Sequence, residues 1–570
     1  MAEEVWMLQT KKADFKQIGA RFQIDPVTAR IIRNRGIEGE AAIDRYLNGT
    51  LDDLYDPMLL KDMEHAVSIL CEAVDTGKKI RIVGDYDIDG VCSTYILLQA
   101  FERLGSDVDF EIPDRIKDGY GINESIIEQA HADGVEVILT CDNGISAFHQ
   151  VELAKKYGMT VVITDHHEVP LDGEKEKIPP ADAVIDPKQA DCPYPFPEIC
   201  GAVVAYKLVQ VLYARRGVPQ MEWLDLLEFA AIATVGDVMK LQDENRILVK
   251  YGLKKMAQTK NLGLRRLAEK NNLDLGAITA YHIGFVIGPC LNAGGRLKTA
   301  KEALALLRAQ SEEEAERLAE ELKELNDTRK DMTEQGTEAA KLQVESWYQK
   351  DKVLVVFLPE CHESLAGIIA GRLREYYQKP AIVLTRGEEA VKGSGRSIDE
   401  YHMFKKLTEV SDLLLKFGGH PLAAGLSLEE KNIDVFRRRL NENAGLTEED
   451  FKAKVWIDVP MPVGYVTERL VRELSCLEPF GQGNEKPLFA EKSLRIRASR
   501  VLGRNRNVVK MTLEETDGHA IEALYFGDGT AFEEERAGRR EIDVVYYPDI
   551  NEYNGRKTLQ AVIRRYKFRG

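Results

Sequence analysis

The sequence predicts two α/β lobes joined by a long helix and followed by an all-β barrel. Three observations carry this. From about residue 78, short apolar runs ending in carboxylates alternate with amphipathic helices, the pattern of a parallel sheet wrapped by helices. Residues 311–347 are charged, have apolar or alanine positions at helical spacing and contain few breakers. From about residue 453 the chain turns to short alternating runs. At 570 residues it is too long for one core, and about three or four domains are expected.

Residues 1–50 read as a polar, helical N-terminal extension. The first lobe, 51–310, opens with the apolar run KKIRIVGDYD and the helix VCSTYILLQAFERLG. VEVILTCDNG and AFHQVELAKKYG repeat the pair, and MTVVITDHHEV is a third run. The polar ends of these runs then lie at the carboxyl edge of the sheet, where open α/β folds place their sites. A Pro-rich loop over 169–197 leads into helices, one of them carrying EFAAIATVGDVMKL, 228–241. Segment 311–350 reads either as a solvated coiled-coil arm or as a spacer helix between two lobes.

In the second lobe, 351–452, KVLVVFLPE and AIVLT are strands around the helix SLAGIIAGRLREYYQ. Gly-rich KGSGRS (392–397) and KFGGHPLAAG (416–425) follow. Glycines there either let backbone N–H groups approach a phosphate or simply turn the chain. Residues 453–570 then read as a small barrel such as an OB fold.

No run of about eighteen apolar residues exists, so a membrane span is not expected. The start, MAEEVWMLQTKKADF, lacks the apolar core of a signal peptide. Eight cysteines are scattered without a CxxC pair, which fits reduced thiols in a cytoplasm. Cys192 and Cys200 have no partner at zinc-finger spacing and read as loop residues. The net charge of −17 counts against nucleic-acid binding at first sight. The charge is uneven, however. Residues 492–510 hold seven basic residues and no acidic one, and 555–570 hold six and none. Local patches bind phosphate whatever the total charge.

GDYDIDG, 84–90, has the front half of an EF-hand loop. With Asp85 as position one, position twelve is Ile96, where a bidentate glutamate is required. A strand-like run, KIRIV, also stands where a helix should. Both exclude the calcium loop. Asp142 ends the second run, Asp165, His166 and His167 end the third, and Asp237 sits in ATVGDV. On adjacent parallel strands these groups converge, and so many carboxylates repel without cations. Hard divalent ions relieve the repulsion, and an imidazole tilts the choice toward Mn²⁺ over Mg²⁺. Two such ions suit in-line attack on phosphorus. His167 is placed to give a proton or bind the phosphate.

GDYDIDG, CDNG, DHH and ATVGDV, in this order, resemble the DHH phosphoesterase superfamily. IPDRIKDGYGI, DPKQADCPYPFPEICGAVVAYK, IGPCLNAGGR, KGSGRS, FGGHPLAAG and LEPFGQGN narrow the resemblance to its RecJ family of exonucleases. The resemblance implies DHH and DHH-associated lobes, a linking helix and an OB domain. It implies a two-metal phosphodiester hydrolase, using Mn²⁺ or Mg²⁺, that degrades single-stranded DNA 5′→3′ to mononucleotides in repair and recombination. Asp87, Asp89, Asp142, His166 and Asp237 match the metal ligands. Asp85 matches an aspartate beside the metals, and His167 the histidine assigned to the scissile phosphate. Arg115 and Arg296 match arginines that hold phosphates, a task suited to guanidinium forks, and Asn292 lies in the same motif. Ser394, Arg396 and His420 match the nucleotide-holding motifs of the second lobe. The implied setting is a cytoplasmic monomer with no membrane attachment, working with a single-strand-binding protein and a helicase.

Several positions depart from the family pattern. Val83 stands where many DHH proteins carry a histidine, which leaves one ion more weakly held or completed by water. Cys290 replaces an arginine, and Cys361 and Ser364 replace a tryptophan and a glycine. Two other functions share parts of this pattern. A phosphodiesterase for short RNA or cyclic dinucleotides would not explain the long helix and basic barrel. A non-enzymatic scaffold would not explain the intact ligand set. On the barrel, Arg495, Arg497, Arg500, Arg504 and Arg506 are either phosphate contacts or a solvated basic face.

Overall fold

The structure is a computed structural model and describes residues 4–553 and 555–569. Its contacts fall into two compact units. One consists mainly of Tyr55–Asp237 and Gly252–Ala453, the other of Trp6–Leu54, Val238–Tyr251 and the chain from Lys454 onward.

The first unit holds two five-stranded sheets and a two-stranded ribbon of Leu171–Asp172 and Lys175–Glu176. Ile80–Val83 (β1), Val108–Glu111 (β2), Val137–Cys141 (β3), Thr160–Thr164 (β4) and Ala183–Ile185 (β5) lie in the order β2-β1-β3-β4-β5. Every neighbouring pair is parallel. β1 and β3 are buried throughout, as strands covered on both faces must be. Strand order reverses between β1 and β3, so the chain leaves them toward opposite faces and a crevice opens beyond their carboxyl ends. Gly84–Gly90 and Asp142–Gly144 follow these two strands. Helix Ile88–Arg103 (α1) starts inside GDYDIDG and is buried along most of its length, Ile96 included. That position belongs to the core, so the fold too leaves no calcium loop. Gly201–Arg216 (α2) and Leu227–Gly236 (α3) pack on α1. α3 stops before the end of the helical segment predicted over 228–241. Asp237 is its C-cap, and Val238 follows at φ 58°, a left-handed conformation that a β-branched residue in a continuing helix cannot hold.

Gly288–Leu297 (α4) leads toward the long helix Glu312–Gln343 (α5). Ser311 caps α5 by accepting the Glu314 N–H at 3.2 Å, and three glutamates occupy its first turn, where the helix dipole favours anions. Leu318, Leu322, Asn326, Thr333 and Ala340 form a buried stripe along it. The helix packs on Leu262–Lys270, on α4 and on Ala366–Tyr377 (α6) of the second lobe. Of the two readings of this segment, the spacer helix is the one observed.

The second sheet has Leu354–Phe357 (β6), Ala381–Arg386 (β7), Val391–Arg396 (β8), Leu414–Gly419 (β9) and Ala423–Leu428 (β10) in the order β9-β10-β8-β7-β6. Only β6 and β7 are parallel. KGSGRS is therefore not a loop but most of β8. A Cβ on Gly393 would stand 2.5 Å from Leu384, and one on Gly395 3.1 Å from Met403. These glycines admit packing neighbours. Strand alternation turns Lys392, Ser394 and Arg396 to the opposite face.

In the second unit, Val459–Pro460 (β11), Phe489–Leu502 (β12), Val508–Glu514 (β13), Ala520–Phe526 (β14), Glu541–Tyr553 (β15) and Arg556–Arg569 (β16) form one sheet. It closes into a five-stranded barrel through β12-β13-β14-β16-β15 and a β12–β15 pairing, with β14 and β16 parallel. Phe489, Leu494, Val509, Leu513 and Phe532 fill it. Helices Phe15–Phe22, Pro26–Asn34 and Glu40–Asn48 are present as expected near the N-terminus, but Glu4–Leu8 is a strand. Ile31, Ile32 and Tyr46 join the barrel's core cluster. Arg246 is buried and donates to the carbonyls of Tyr46 (3.0 Å), Leu477 (2.8 Å) and Cys476 (2.8 Å). One guanidinium thus satisfies three carbonyls from two segments, two of them buried.

Among the described residues no helix is long and apolar enough to cross a membrane. All eight cysteines are free. Cys192 Sγ accepts the Lys61 N–H at 3.4 Å, and Cys200 lies buried 3.7 Å from Thr234 Oγ1.

Candidate active site

The crevice beyond β1 and β3 gathers the predicted carboxylates. Asp87 caps α1, its Oδ1 accepting the N–H groups of Asp89 (3.0 Å) and Gly90 (3.1 Å). Asp89 accepts from the first residues of α2, Gly201 N at 2.7 Å and Ala202 N at 2.8 Å. A helix N-terminus favours that charge. Asp142 has φ 61°, uncommon for a residue with a Cβ. Its Oδ1 is 3.0 Å from His166 Nε2. The same nitrogen lies 3.4 Å from Asp89 Oδ2 and 3.9 Å from Asp237 Oδ2. Carboxylates from three elements therefore converge on the imidazole that follows β4. Asp89, His166 and Asp237 each offer a ligand atom within 4.8 Å of the others, as do Asp142, His166 and His167.

Burial, and then repulsion from neighbouring carboxylates, raises the carboxyl groups of Asp85, Asp87 and Asp142, and pushes Asp237 up to about 8. Burial lowers His166. Asp85 Oδ1 accepts the Gly121 N–H at 3.1 Å, but the buried Asp85 Oδ2 and His166 Nδ1 have no hydrogen-bond partner. Crowded carboxylates, a neutral imidazole and unmet acceptors are the donor set of a divalent-cation site. The residues present fit Mn²⁺ or Mg²⁺.

His167 is held differently. Its Nδ1 is 2.7 Å from Asp165 Oδ1. Burial alone would lower this imidazole, but the Asp165 hydrogen bond and nearby carboxylates raise it to about 9. Asp165 also accepts the N–H groups of His166 (2.7 Å) and Ile145 (2.8 Å), so it orients the histidines from below. Tyr120 donates to the Asp142 carbonyl at 2.5 Å and lies 3.2 Å from the His167 ring nitrogens. Asn143 bonds the carbonyls of Val83 (3.0 Å) and Cys141 (2.9 Å), joining the two strand ends. The sequence places Asp165 among the converging carboxylates, not as the partner of His167, and assigns no role to Tyr120 or Asn143. Each stood inside a quoted motif, but only the fold shows which neighbour it meets. Val83 is fully buried in an apolar cluster with Ile122, Ile138 and Ile163. Here this position serves packing.

Gly201 lets α2 approach the cluster. A Cβ there would stand 2.7 Å from Asp142 Cβ and 2.9 Å from its Cα. Gly201→Ala is expected to lower stability by about 1–3 kcal/mol through overpacking and to weaken Mn²⁺ binding. Thermal unfolding and metal titration check both, and an unperturbed Mn²⁺ affinity would count against this packing role.

A second cluster lies where the two lobes of this unit meet. Arg115, Arg296, Arg372, Arg396, Ser364 and Ser394 line a cavity of about 370 Å³. Arg296 donates to the Ser364 carbonyl at 3.1 Å. Burial, then the charges of Arg115 and Arg329, lowers it to about 10. Arg115 lies 4.8 Å from the Tyr86 ring centroid, a cation–π distance. Arg115 and Arg296 of the first lobe and Ser394 and Arg396 of the second thus line one cavity. Asn292 is half-buried in α4 and His420 exposed after β9; neither lines the cavity. Arg372 was not foreseen, since no motif frames it.

The departures are accommodated. Cys290 is buried and accepts from Asn326 Nδ2 at 3.4 Å, while Asn326 Oδ1 accepts from Arg329 Nε at 3.1 Å. Ser364 Oγ is 2.7 Å from His362 Nδ1. On the barrel, Arg495, Arg497 and Arg500 are exposed along β12, and Arg504 and Arg506 in the turn that follows. Arg497 pairs with Glu514 at 2.7 Å, which partly neutralises the patch.

Family models agree with these parts. One described as "DHH family, N-terminal domain" matches residues 79–234, "DHHA1 domain" matches 350–445 and "RecJ OB domain" matches 457–565. The single-stranded-DNA-specific exonuclease RecJ of Bacillus subtilis is 36% identical over 564 residues, covering 98% of this chain and 70% of the relative. That of Escherichia coli is 34% identical, covering 95% and 96%. The chain belongs to the RecJ family. Thermus thermophilus RecJ in complex with Mn²⁺ superposes with a TM-score of 0.84 at 28% identity, covering 99% of this chain and 79% of that one. A Mg²⁺ complex of the same protein is also similar, with a TM-score of 0.77 at 27% identity, covering 99% and 78%. The RecJ resemblance and the α/β, α/β, OB architecture read from the sequence are met by these findings.

Proposed function

We propose that this RecJ-family protein is a metal-dependent exonuclease that degrades single-stranded DNA 5′→3′ to mononucleotides. The convergence of Asp89, Asp142, His166 and Asp237 beyond β1 and β3 carries this reading. In it Asp87, Asp89, Asp142, His166 and Asp237 hold two ions, Mn²⁺ or Mg²⁺. The ions supply Lewis-acid activation of phosphorus and water. Asp85 stands beside the ligands and shapes their field. His167, kept cationic by Asp165, meets the scissile phosphate and neutralises its growing charge. Arg115, Arg296, Ser394 and Arg396 grip the strand's 5′ side, and Asn292 and His420 line its approach. The strand runs between the two lobes, and the barrel holds its unreacted part through exposed arginines.

The working boundaries are 1–50, 51–310, 311–350, 351–452 and 453–570 for extension, DHH lobe, connecting helix, DHH-associated lobe and OB domain. The setting is a cytoplasmic monomer acting in repair and recombination, beside a helicase and a single-strand-binding protein. Digestion of 5′- and 3′-labelled single and double strands with Mn²⁺ and Mg²⁺ tests the activity. Mononucleotides should leave the 5′ end of single strands alone. Release from 3′ ends, or equal attack on duplex, would overturn the assignment.

A further inference from the structure

The arginine cavity carries more positive charge than one terminal phosphate needs. Arg115, Arg296, Arg372 and Arg396 all line it, and among the described residues none of them forms an ion pair. Its two carboxylates are engaged elsewhere: Glu363 with Lys392 at 2.9 Å, and Glu375 with Arg374 at 3.0 Å. The cavity also borders one helix. It runs from Ser364 along α6 past Gly367 and Gly371, one turn apart, to Arg372. Both glycines leave that helix face low. A Cβ on Gly367 would stand 2.9 Å from the Arg396 guanidinium, so a larger residue there would displace that side chain. Uncompensated guanidiniums along a groove suit a chain of phosphates, because each fork engages two oxygens. A monophosphate carries a charge of about −1.5 to −2, short of four arginines.

We propose that this cavity accepts 5′-polyphosphorylated strand ends, with Arg115, Arg296 and Arg396 at the first phosphate and Arg372 at those beyond it. The inference rests on the exonuclease reading above. Hydrolysis of the first linkage then adds water oxygen to its phosphorus and breaks the bond to the first nucleotide's 3′ oxygen, which takes the proton. The products are an intact nucleoside triphosphate and a shortened strand with a 5′-monophosphate. Later cycles release mononucleotides.

The test uses single-stranded oligonucleotides differing only in a 5′-hydroxyl, 5′-monophosphate or 5′-triphosphate, with Mn²⁺ and the full chain. The triphosphate strand should be cut with a kcat/KM at least equal to the monophosphate strand, and its first product should be the nucleoside triphosphate. Arg372→Ala should lower the triphosphate-to-monophosphate ratio of kcat/KM by about tenfold, the loss of one charge-assisted contact. Arg372→Lys should fall between the two. Arg439→Ala, outside the cavity and paired with Asp412, should leave the ratio unchanged. Cleavage of the monophosphate strand with rejection of the triphosphate strand would overturn this inference alone, as would an unaltered ratio in Arg372→Ala. Inactivity on all three strands would overturn the exonuclease reading itself.

Discussion

Asp142→Asn should reduce Mn²⁺-dependent nucleotide release by about a thousandfold, or about 4 kcal/mol of transition-state stabilisation. Asparagine keeps the shape that fits beneath Gly201 and can still meet His166, so the fold should persist. What disappears is a charge that the proposed ions need. The same change removes one member of a group of mutually repelling, buried carboxylates. The chelated variant should therefore unfold at a higher temperature than the chelated wild type. Activity is read on end-labelled single strands, and stability by thermal unfolding in a chelator. Wild-type turnover in the variant would remove Asp142 from the ligand set. Reduced turnover with a lowered unfolding temperature would make its role structural.

The metal-free protein should lose stability as pH rises from about 4 to about 8, and divalent ions should restore it. The folded state raises Asp85, Asp87 and Asp142, and Asp237 to about 8. A carboxyl group raised on folding binds more protons in the native state than in the unfolded chain. Its contribution is present below the unfolded value near 4 and is lost as pH climbs through the folded value. Cations bind the ionised form, so their stabilisation grows over the same interval. One ion at a hundredfold its dissociation constant adds about 2.7 kcal/mol. The Mn²⁺-induced rise in unfolding temperature should thus be large at pH 8 and small at pH 5. A rise of equal size at both pH values would mean that Mn²⁺ binds elsewhere.

Much of this molecule was legible in its sequence. Apolar runs ending in aspartates identified the parallel sheet and its active edge, because strands buried on both faces leave no polar period to confuse the reading. The failures are local. KGSGRS looked like a loop because glycine is read as a turn residue, yet Gly393 and Gly395 admit Leu384 and Met403 against a strand. Composition carries α3 past Asp237, since it does not reveal a left-handed Val238.

The sequence by itself determined the metal-site chemistry. Residue type sets charge and ligand hardness, and the position after each strand sets the edge at which the groups emerge. Only the tertiary structure decided how they are used. Through-space neighbours separate His167, which Asp165 keeps cationic, from His166, which burial keeps neutral. Close packing turns Val83 into core. Arg372 joins Arg115, Arg296 and Arg396 around one cavity although no motif contains it, because contacts across lobes are set by how helices stack and leave no local pattern in the chain.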